Sequence, residues 1–451
     1  MREVAMSRSV TVKGPARLSG SLNLPGDKSI SHRVAMLTSV ASGTSRVTGM
    51  ASSADCKATI ECIRRLGIRV EEEGPELVIH GRGLFGYRPF EQAPHLDAGN
   101  SGSTIRMLSG LLAGQRFESE IGGDASLRRR PMGRIIEPLR LMGAHIDGAG
   151  GNFPPLVILG RKLRALDYAS PVASAQVKTC VLFAALLAEG RSAFSEPAPS
   201  RNHTELMLKE FGAPVEFESS GAVSVEGLCE LKPVNYNVPG DLSSAAFLIA
   251  AATVLPDSEL LIRDVNINPT RHAFIDVLSE LGAAITKHGV REQHGEKVGD
   301  LSVSSRGLAS ERRGTVLSGP LIPNIIDEIP ILAVVATQVK GRVEVRDAKE
   351  LRVKESDRIQ TIVEGIRALG GEIEEFEDGF AIEGPQRLFG GRVESAGDHR
   401  IAMALAIAGL IAEGETEIVG ADCAGVSFPG FYDSLAMLTP PGTVAPIAEW
   451  S

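Results

Sequence analysis

The chain has 451 residues and a formal charge of −9, and at about 100–200 residues per domain its length predicts two or more domains with ample core. The acidic balance argues against a general nucleic-acid or membrane-surface binder, and one Trp with four Tyr leaves little aromatic surface for base stacking. Five cysteines, odd in number and without a CxxC pair, argue against a disulfide framework or a zinc site and for reduced thiols in a cytoplasmic protein.

The first ten residues, MREVAMSRSV, contain no apolar core of a targeting peptide. The longest uncharged apolar stretches, such as residues 401–412, fall short of the ~18–20 residues that a membrane span needs. The chain therefore reads as soluble and untargeted. Residues 10–24 read as one strand. Pro25-Gly26-Asp27-Lys28-Ser29-Ile30-Ser31-His32-Arg33 follows and opens into an apolar run, 34–40, that predicts a helix. A helix start attracts anions, because its unpaired N–H groups and its dipole, roughly half a unit charge, face whatever precedes the first turn. Lys28 and Arg33 add two full charges there, and Ser29 and Ser31 add hydroxyl donors. One such stretch alone is equally well explained by a capped helix with solvated cations.

Its recurrence is not. A small-polar turn followed by an apolar helix returns at Gly99-Asn100-Ser101-Gly102-Ser103, Ala173-Ser174-Ala175-Gln176, Gly240-Asp241-Leu242-Ser243-Ser244, Ile326-Asp327-Glu328 and Gly397-Asp398-His399-Arg400, a long internal repeat. After the first helix each copy predicts a β-branched strand and a second, amphipathic helix stopped by Gly, as at Gly67, Gly143, Gly212, Gly282 and Gly370. Strand candidates follow these stops at 68–72, 77–80, 156–159, 215–218, 223–225, 372–375 and 380–382. The sixth copy reads as truncated, with 431–438 its only helix. Units of this kind fit two-layer α/β packing. Pairing them three and three places one domain at 25–239 and the other at 1–24 plus 240–451, with the N-terminal strand completing the second. Both crossings carry Pro-Gly-Asp, which predicts an interdomain cleft with small hinges able to close it.

Seven segments, LPGDKSISHR at 24–33, GNSGSTIR at 99–106, RRPMG at 129–133, ASAQVK at 173–178, IDE at 326–328, LRVKESDR at 351–358 and GDHRIAM at 397–403, resemble the enolpyruvyl transferases, and among them the branch that acts on shikimate 3-phosphate. The resemblance spans nearly the whole chain. It implies an α/β (α+β) fold of two globular domains, each of three βαβαββ repeats, with helix N-termini facing the interdomain cleft. It also implies that the enolpyruvyl group of phosphoenolpyruvate moves to the 5-hydroxyl of shikimate 3-phosphate with release of phosphate, without metal or organic cofactor. A monomer is expected, since no long apolar surface stripe is evident.

Such substrates are strongly anionic, so the site must concentrate cations despite an acidic chain. The resemblance places Lys28, Arg130, Arg358 and Arg400 around phosphoenolpyruvate; Arg holds carboxylate or phosphate bidentately and Lys acts as a mobile point charge. It leaves room for the small substrate at Gly102. It assigns Ser29 and Arg33 to the ring, and Ser174, Ala175 through its backbone, Gln176 and Arg201 to the 3-phosphate, although Ser174 and Gln176 also fit simple helix capping. Enolpyruvyl addition needs a base for the hydroxyl and an acid for the methylene carbon, whose proton must later leave again. The resemblance gives Asp327 the hydroxyl and Glu355 the carbon, with Lys28 and Lys354 sharing proton work and His399 as an accessory donor. On pattern alone, Lys354-Glu355-Ser356-Asp357-Arg358 is a solvated helix face with i,i+3 ion pairs. The acidic runs 71–73 and 374–375 read as solvated surface.

The chain also departs from the family pattern. Val426 stands where many members carry a Lys, Ser103 and Met107 where many have Thr and Pro, and Glu350 where many have Asn. Other classes fare worse. A P-loop hydrolase needs GxxxxGK[ST], which Gly26-Asp27-Lys28-Ser29 lacks. A sister transferase acting on a UDP-amino sugar usually has a Lys-Asn pair near the start, against Asp27-Lys28 here. A non-catalytic anion binder has no need of both Asp327 and Glu355.

Overall fold

The computed structural model describes residues 8–91, 93–305 and 314–445; the reading of residues 1–7 as untargeted lies outside them. The chain forms two compact units, the first of Gly26–Pro239 with Glu292–Glu296, the second of Met1–Pro25, Gly240–Arg291 and Lys297–Ser451.

The first unit holds three four-stranded sheets of one plan. Each repeat runs strand, helix, strand, helix, hairpin, and its leading strand pairs in parallel with the second. The middle repeat shows it directly, with His95–Asp97 parallel to Glu118–Gly122, and Phe153–Leu159 antiparallel to both Glu118–Gly122 and His145–Ala149. A parallel pair needs a crossover, and helix Gly102–Ala113 supplies it. The third sheet is Asp167–Ala169, Arg191–Ser195, Val223–Glu226 and Val215–Phe217. In the first repeat the leading strand is Tyr236–Asn237, parallel to Ser42–Thr48, so the unit's end closes on its beginning.

The second unit repeats the plan with sheets built on Glu259–Asn266, Gly341–Val345 and Gly414–Val419. Here the chain's start supplies two strands, not the single one expected over 10–24. Ser9–Gly14 pairs antiparallel with Gly414–Val419, and Ser19–Asn23 pairs parallel with Glu259–Asn266. Pro15 has no N–H for a ladder, which ends the first strand at Gly14. The sixth copy is likewise not reduced to one helix. It keeps its first helix, His399–Ile411, beside Phe431–Leu438, and lacks only the hairpin, in whose place Ser9–Gly14 pairs. Buried from His399 to Leu410, that helix has no polar face and so no amphipathic signal.

The same burial explains the architecture. The first helix of every repeat, Lys28–Val40, Gly102–Ala113, Ala175–Leu186, Leu242–Val254, Ile329–Ala336 and His399–Ile411, is buried over nearly its whole length. A helix apolar all round belongs in a core, and in the second unit these three pack on one another. In the first unit Gly102–Ala113 lies against both others in turn, closest at Gly110, where a Cβ would stand 2.2 Å from the Cys180 carbonyl oxygen. The second helices bury one face only. Their expected glycine stops, Gly67, Gly143, Gly212, Gly282 and Gly370, all have φ between +79° and +99°, the left-handed conformation that ends a helix. Gly26 serves close approach, since a Cβ there would lie 1.7 Å from the Gly49 carbonyl oxygen. Among the described residues no single helix is long and apolar enough to cross a membrane.

Candidate active site

Packing the first helices together gathers their N-termini in each unit, but the six starts differ in charge. Asp27, Asp241 and Asp398 cap theirs with a carboxylate, accepting from Ile30 N (2.9 Å), Ser243 N (2.8 Å) and Arg400 N (2.9 Å). Glu328 occupies the cap of Ile329–Ala336 without bonding it. Only Gly102–Ala113 and Ala175–Leu186 are capped by a neutral side chain, Ser101 and Ser174. An anion is repelled by a carboxylate and attracted by bare N–H dipoles. The general expectation of anion sites at repeat starts therefore narrows to these two, both in the first unit.

Cations surround both starts. Arg106 donates from Nη1 to Gln176 Oε1 (2.9 Å), and Gln176 donates from Nε2 to Ser103 Oγ (3.0 Å), so Gln176 ties the two helices. Arg130 donates to Asn100 Oδ1 (2.6 Å) and Ser126 Oγ (3.2 Å). Gly102 lies beneath both guanidiniums; a Cβ would stand 2.6 Å from Arg106 Nη1 and 3.5 Å from Arg130 Nη1. Lys28 is held by Asp55 (3.1 Å) and is largely shielded from solvent. Arg201 stands half-buried before helix His203–Glu210.

Arg33 is built in more firmly than a simple ligand for a ring. It donates to Thr204 Oγ1 (2.8 Å), Ser29 O (2.8 Å), Thr179 Oγ1 (2.9 Å) and Ala175 O (3.4 Å). Burial draws its pKa down to about 10, opposed by Glu205 and aided by Arg201.

His32 lies under this surface, fully buried, with Nδ1 bonded to Thr59 Oγ1 (2.7 Å). Thr59 continues to Thr104 (2.7 Å), which donates to Ser101 Oγ (2.8 Å). Burial, with Lys28 and Arg33 nearby, holds the His32 pKa well below its ordinary value. Below pH ~6.5 the unfolded chain takes up a proton that the folded one refuses, so stability falls with pH by up to about 1.4 kcal/mol per unit from this group. Urea unfolding at pH 7.5 and 5.5 checks this: the parent should lose more stability than His32→Asn across that interval.

The second unit gathers carboxylates around one guanidinium. Arg358, 2% exposed, donates from Nε to Asp398 Oδ2 (2.8 Å) and from Nη2 to Glu355 Oε2 (2.7 Å), and its Nη1 lies 3.6 Å from Asp327 Oδ1. Burial alone would lower its pKa, but Asp398, Glu355 and Asp327 outweigh that and hold it above its ordinary value. The i,i+3 pair expected of a solvated face is present, yet its Arg is buried. Asp327 and Glu355 remain partly open to solvent. Lys354 pairs with Glu350 (3.3 Å), and Arg352 turns away to Asp357 and Glu375.

Arg400, buried, donates to Ser243 O (3.3 Å), and its Nε has no hydrogen-bond partner among the described residues. Beside it runs a chain that sequence reasoning missed. Arg271 donates from Nη2 to Asp241 Oδ1 (2.6 Å) and Ser243 Oγ (2.8 Å), and Ser243 Oγ donates to Glu328 Oε1. His399 is buried at the same helix start. Val426 ends a short 3-10 turn, Ala421–Val426, half-buried.

This geometry meets close parallels. The family model of EPSP synthase (3-phosphoshikimate 1-carboxyvinyltransferase) matches residues 12–435. A 3-phosphoshikimate 1-carboxyvinyltransferase of Solibacter usitatus is 50% identical over 420 residues, 93% of this chain and 97% of its own. One from Thermoanaerobacter sp. is 46% identical over 429 residues, 95% of this chain and all of its own. A solved EPSP synthase structure from Acinetobacter baumannii superposes with a TM-score of 0.85 at 38% identity, covering 98% of this chain and 100% of that one. The chain belongs to the EPSP synthase family, the 3-phosphoshikimate 1-carboxyvinyltransferases.

Proposed function

We propose that the two neutral-capped helix starts of the first unit hold the substrates' anions while the Arg358 cluster of the second unit moves the protons. The reaction is transfer of the enolpyruvyl group of phosphoenolpyruvate to the 5-hydroxyl of shikimate 3-phosphate, with release of phosphate. The observation that carries the division of labour is charge. Around the helix starts of the second unit stand Asp241, Asp327, Glu328, Glu355 and Asp398 against Arg271, Lys354, Arg358 and Arg400. Among the described residues, the two neutral-capped starts of the first unit stand with Arg106, Arg130, Lys178 and Arg201 against Glu196 and Glu205.

In this reading Ser174, the Ala175 N–H, Gln176 and Arg201 bind the ring phosphate, and Ser29 faces the ring. Arg33 positions Ser29 through its carbonyl. Lys28, Arg130 and Arg400 hold phosphoenolpyruvate, and Arg358 offers it Nη1, which has no hydrogen-bond partner among the described residues. Asp327 accepts the proton of the attacking hydroxyl. Glu355 delivers a proton to the methylene carbon, and the carbon returns one to it when phosphate leaves. Lys28, Lys354 and His399 assist these transfers. One chain supplies every group, so we take the monomer as the working unit. The free thiols, three of them buried, fit a cytoplasmic setting.

Phosphate release from phosphoenolpyruvate tests the reading. It should require shikimate 3-phosphate and be absent with a UDP-amino sugar; the reverse pattern would overturn it.

A second expectation concerns glyphosate, which inhibits the family at the phosphoenolpyruvate place. Gly102→Ala puts a methyl against Arg106 Nη1, the movable tip of a side chain, and should break its bond to Gln176. We expect the parent to be inhibited competitively against phosphoenolpyruvate. Gly102→Ala should raise the inhibition constant more than the KM, because the longer inhibitor tolerates a displaced Arg106 less well. Val426→Lys should tighten both by about 1–3 kcal/mol, the worth of a hydrogen bond to a charged group. Inhibition constants for the three proteins check this, and an unaltered value for Gly102→Ala would remove the GNSGST loop from the site.

A further inference from the structure

Lys178 interrupts the apolar helix Ala175–Leu186 and is only 4% exposed. Its ammonium donates to Glu196 Oε1 (2.9 Å) and Ser200 O (3.3 Å) and pairs with Glu205 Oε1 (2.8 Å). The Glu196 side chain is largely shielded from solvent, and it reaches the start of the helix. Its Oε2 accepts from the backbone N–H of Ser174 (3.2 Å), while its Oε1 accepts from Ser200 N (2.8 Å) and Ser200 Oγ (2.8 Å). A carboxylate thus stands at the start of the helix, bonded to its cap residue and to the loop that carries Arg201.

Two such carboxylates would repel a phosphate arriving at that helix start. Glu205 Oε2 has no hydrogen-bond partner among the described residues, so Lys178 is the cation that both carboxylates share. Removing one partner from a buried ionic group leaves the others uncompensated.

We propose that Lys178 is a positioning residue that sets selectivity for the phosphorylated ring. By binding Glu196 it holds Ser174 and the Ser200-Arg201 loop around the helix start and draws the Glu196 charge away from the arriving phosphate. The inference rests on the placement of the ring phosphate at Ser174, Ala175 and Gln176.

The experiment compares binding of shikimate 3-phosphate and unphosphorylated shikimate by calorimetry, alongside the KM for phosphoenolpyruvate. Lys178→Met should lower the preference for the phosphorylated ring about 10- to 100-fold, the scale of a lost charge-assisted hydrogen bond, while the KM for phosphoenolpyruvate changes little. Lys178→Arg, which keeps the charge, should restore most of the preference. Lys178→Met/Glu205→Gln keeps the net charge of the cluster, serves if the single variant does not fold, and should lose the preference too. A preference unchanged in either folded variant overturns the role of Lys178. Ser174→Ala separates the two levels: if it leaves the preference intact, the placement of the phosphate fails; if it lowers the preference while the Lys178 variants do not, only the role of Lys178 fails.

Discussion

Glu355→Gln and Asp327→Asn should each lower turnover by about two to four orders of magnitude, the usual range for a positioned acid or base. Both substitutions keep size and shape and remove only the ability to take up and release a proton. Both side chains lie beside one guanidinium, Glu355 at 2.7 Å and Asp327 at 3.6 Å, so neither is free to replace the other. Steady-state turnover at saturating substrates checks this. Near-normal turnover in Glu355→Gln would move the carbon proton to Lys28, the other proton-bearing group proposed beside phosphoenolpyruvate.

Arg358→Met should be the most damaging single change. Asp398 is 0% exposed and donates nothing itself, so it depends on the donors around it, Arg358 Nε and Ser356 Oγ among them. Removing one partner of a buried ion pair typically costs about 3–5 kcal/mol, and here the lost guanidinium also orients Glu355 and Asp327. Arg358→Lys retains the charge but not the fork, because one ammonium is a point charge that does not span three carboxylates. It should therefore keep much of the stability and still lose most of the turnover. Urea unfolding and turnover of the two variants check the distinction; equal turnover in Arg358→Lys and the parent would mean that the fork does not aim the pair.

The residues proposed for the site were legible in the sequence where a short segment carries them. Lys28, Gly102, Asp327 and Arg400 stand in turns at or near helix starts that local grammar exposes, whereas Arg130, Glu355 and Arg358 came from the resemblance, since pattern alone reads 354–358 as a solvated face. What stayed hidden is non-local. Arg271 meets Asp241 from 30 residues away, and Ser243 meets Glu328 across 85. No spacing rule reaches that far. Lys178 left a trace, since a charge inside the apolar run 177–186 must find partners when buried, but Glu196 and Glu205 are supplied by folding. The sixth repeat is shortened as expected and completed by the N-terminal strand Ser9–Gly14, but its first helix, His399–Ile411, escaped the reading because it is buried all round and has no amphipathic signal. The acidic run at 71–73 was read correctly as surface: Glu71 and Glu73 pair on exposed strands with Arg69 and Arg46.

The sharpest test of the division between Asp327 and Glu355 is the dissociation constant of shikimate 3-phosphate for the parent, Asp327→Asn and Glu355→Gln, measured by calorimetry without phosphoenolpyruvate. Asp327 is assigned to the ring hydroxyl, so Asp327→Asn should weaken binding by about 10-fold or more, the loss of a hydrogen bond to a charged group. Glu355 is assigned to the methylene carbon of the absent substrate, so Glu355→Gln should bind as the parent does. Weakened binding in Glu355→Gln with unchanged binding in Asp327→Asn would contradict the assignment.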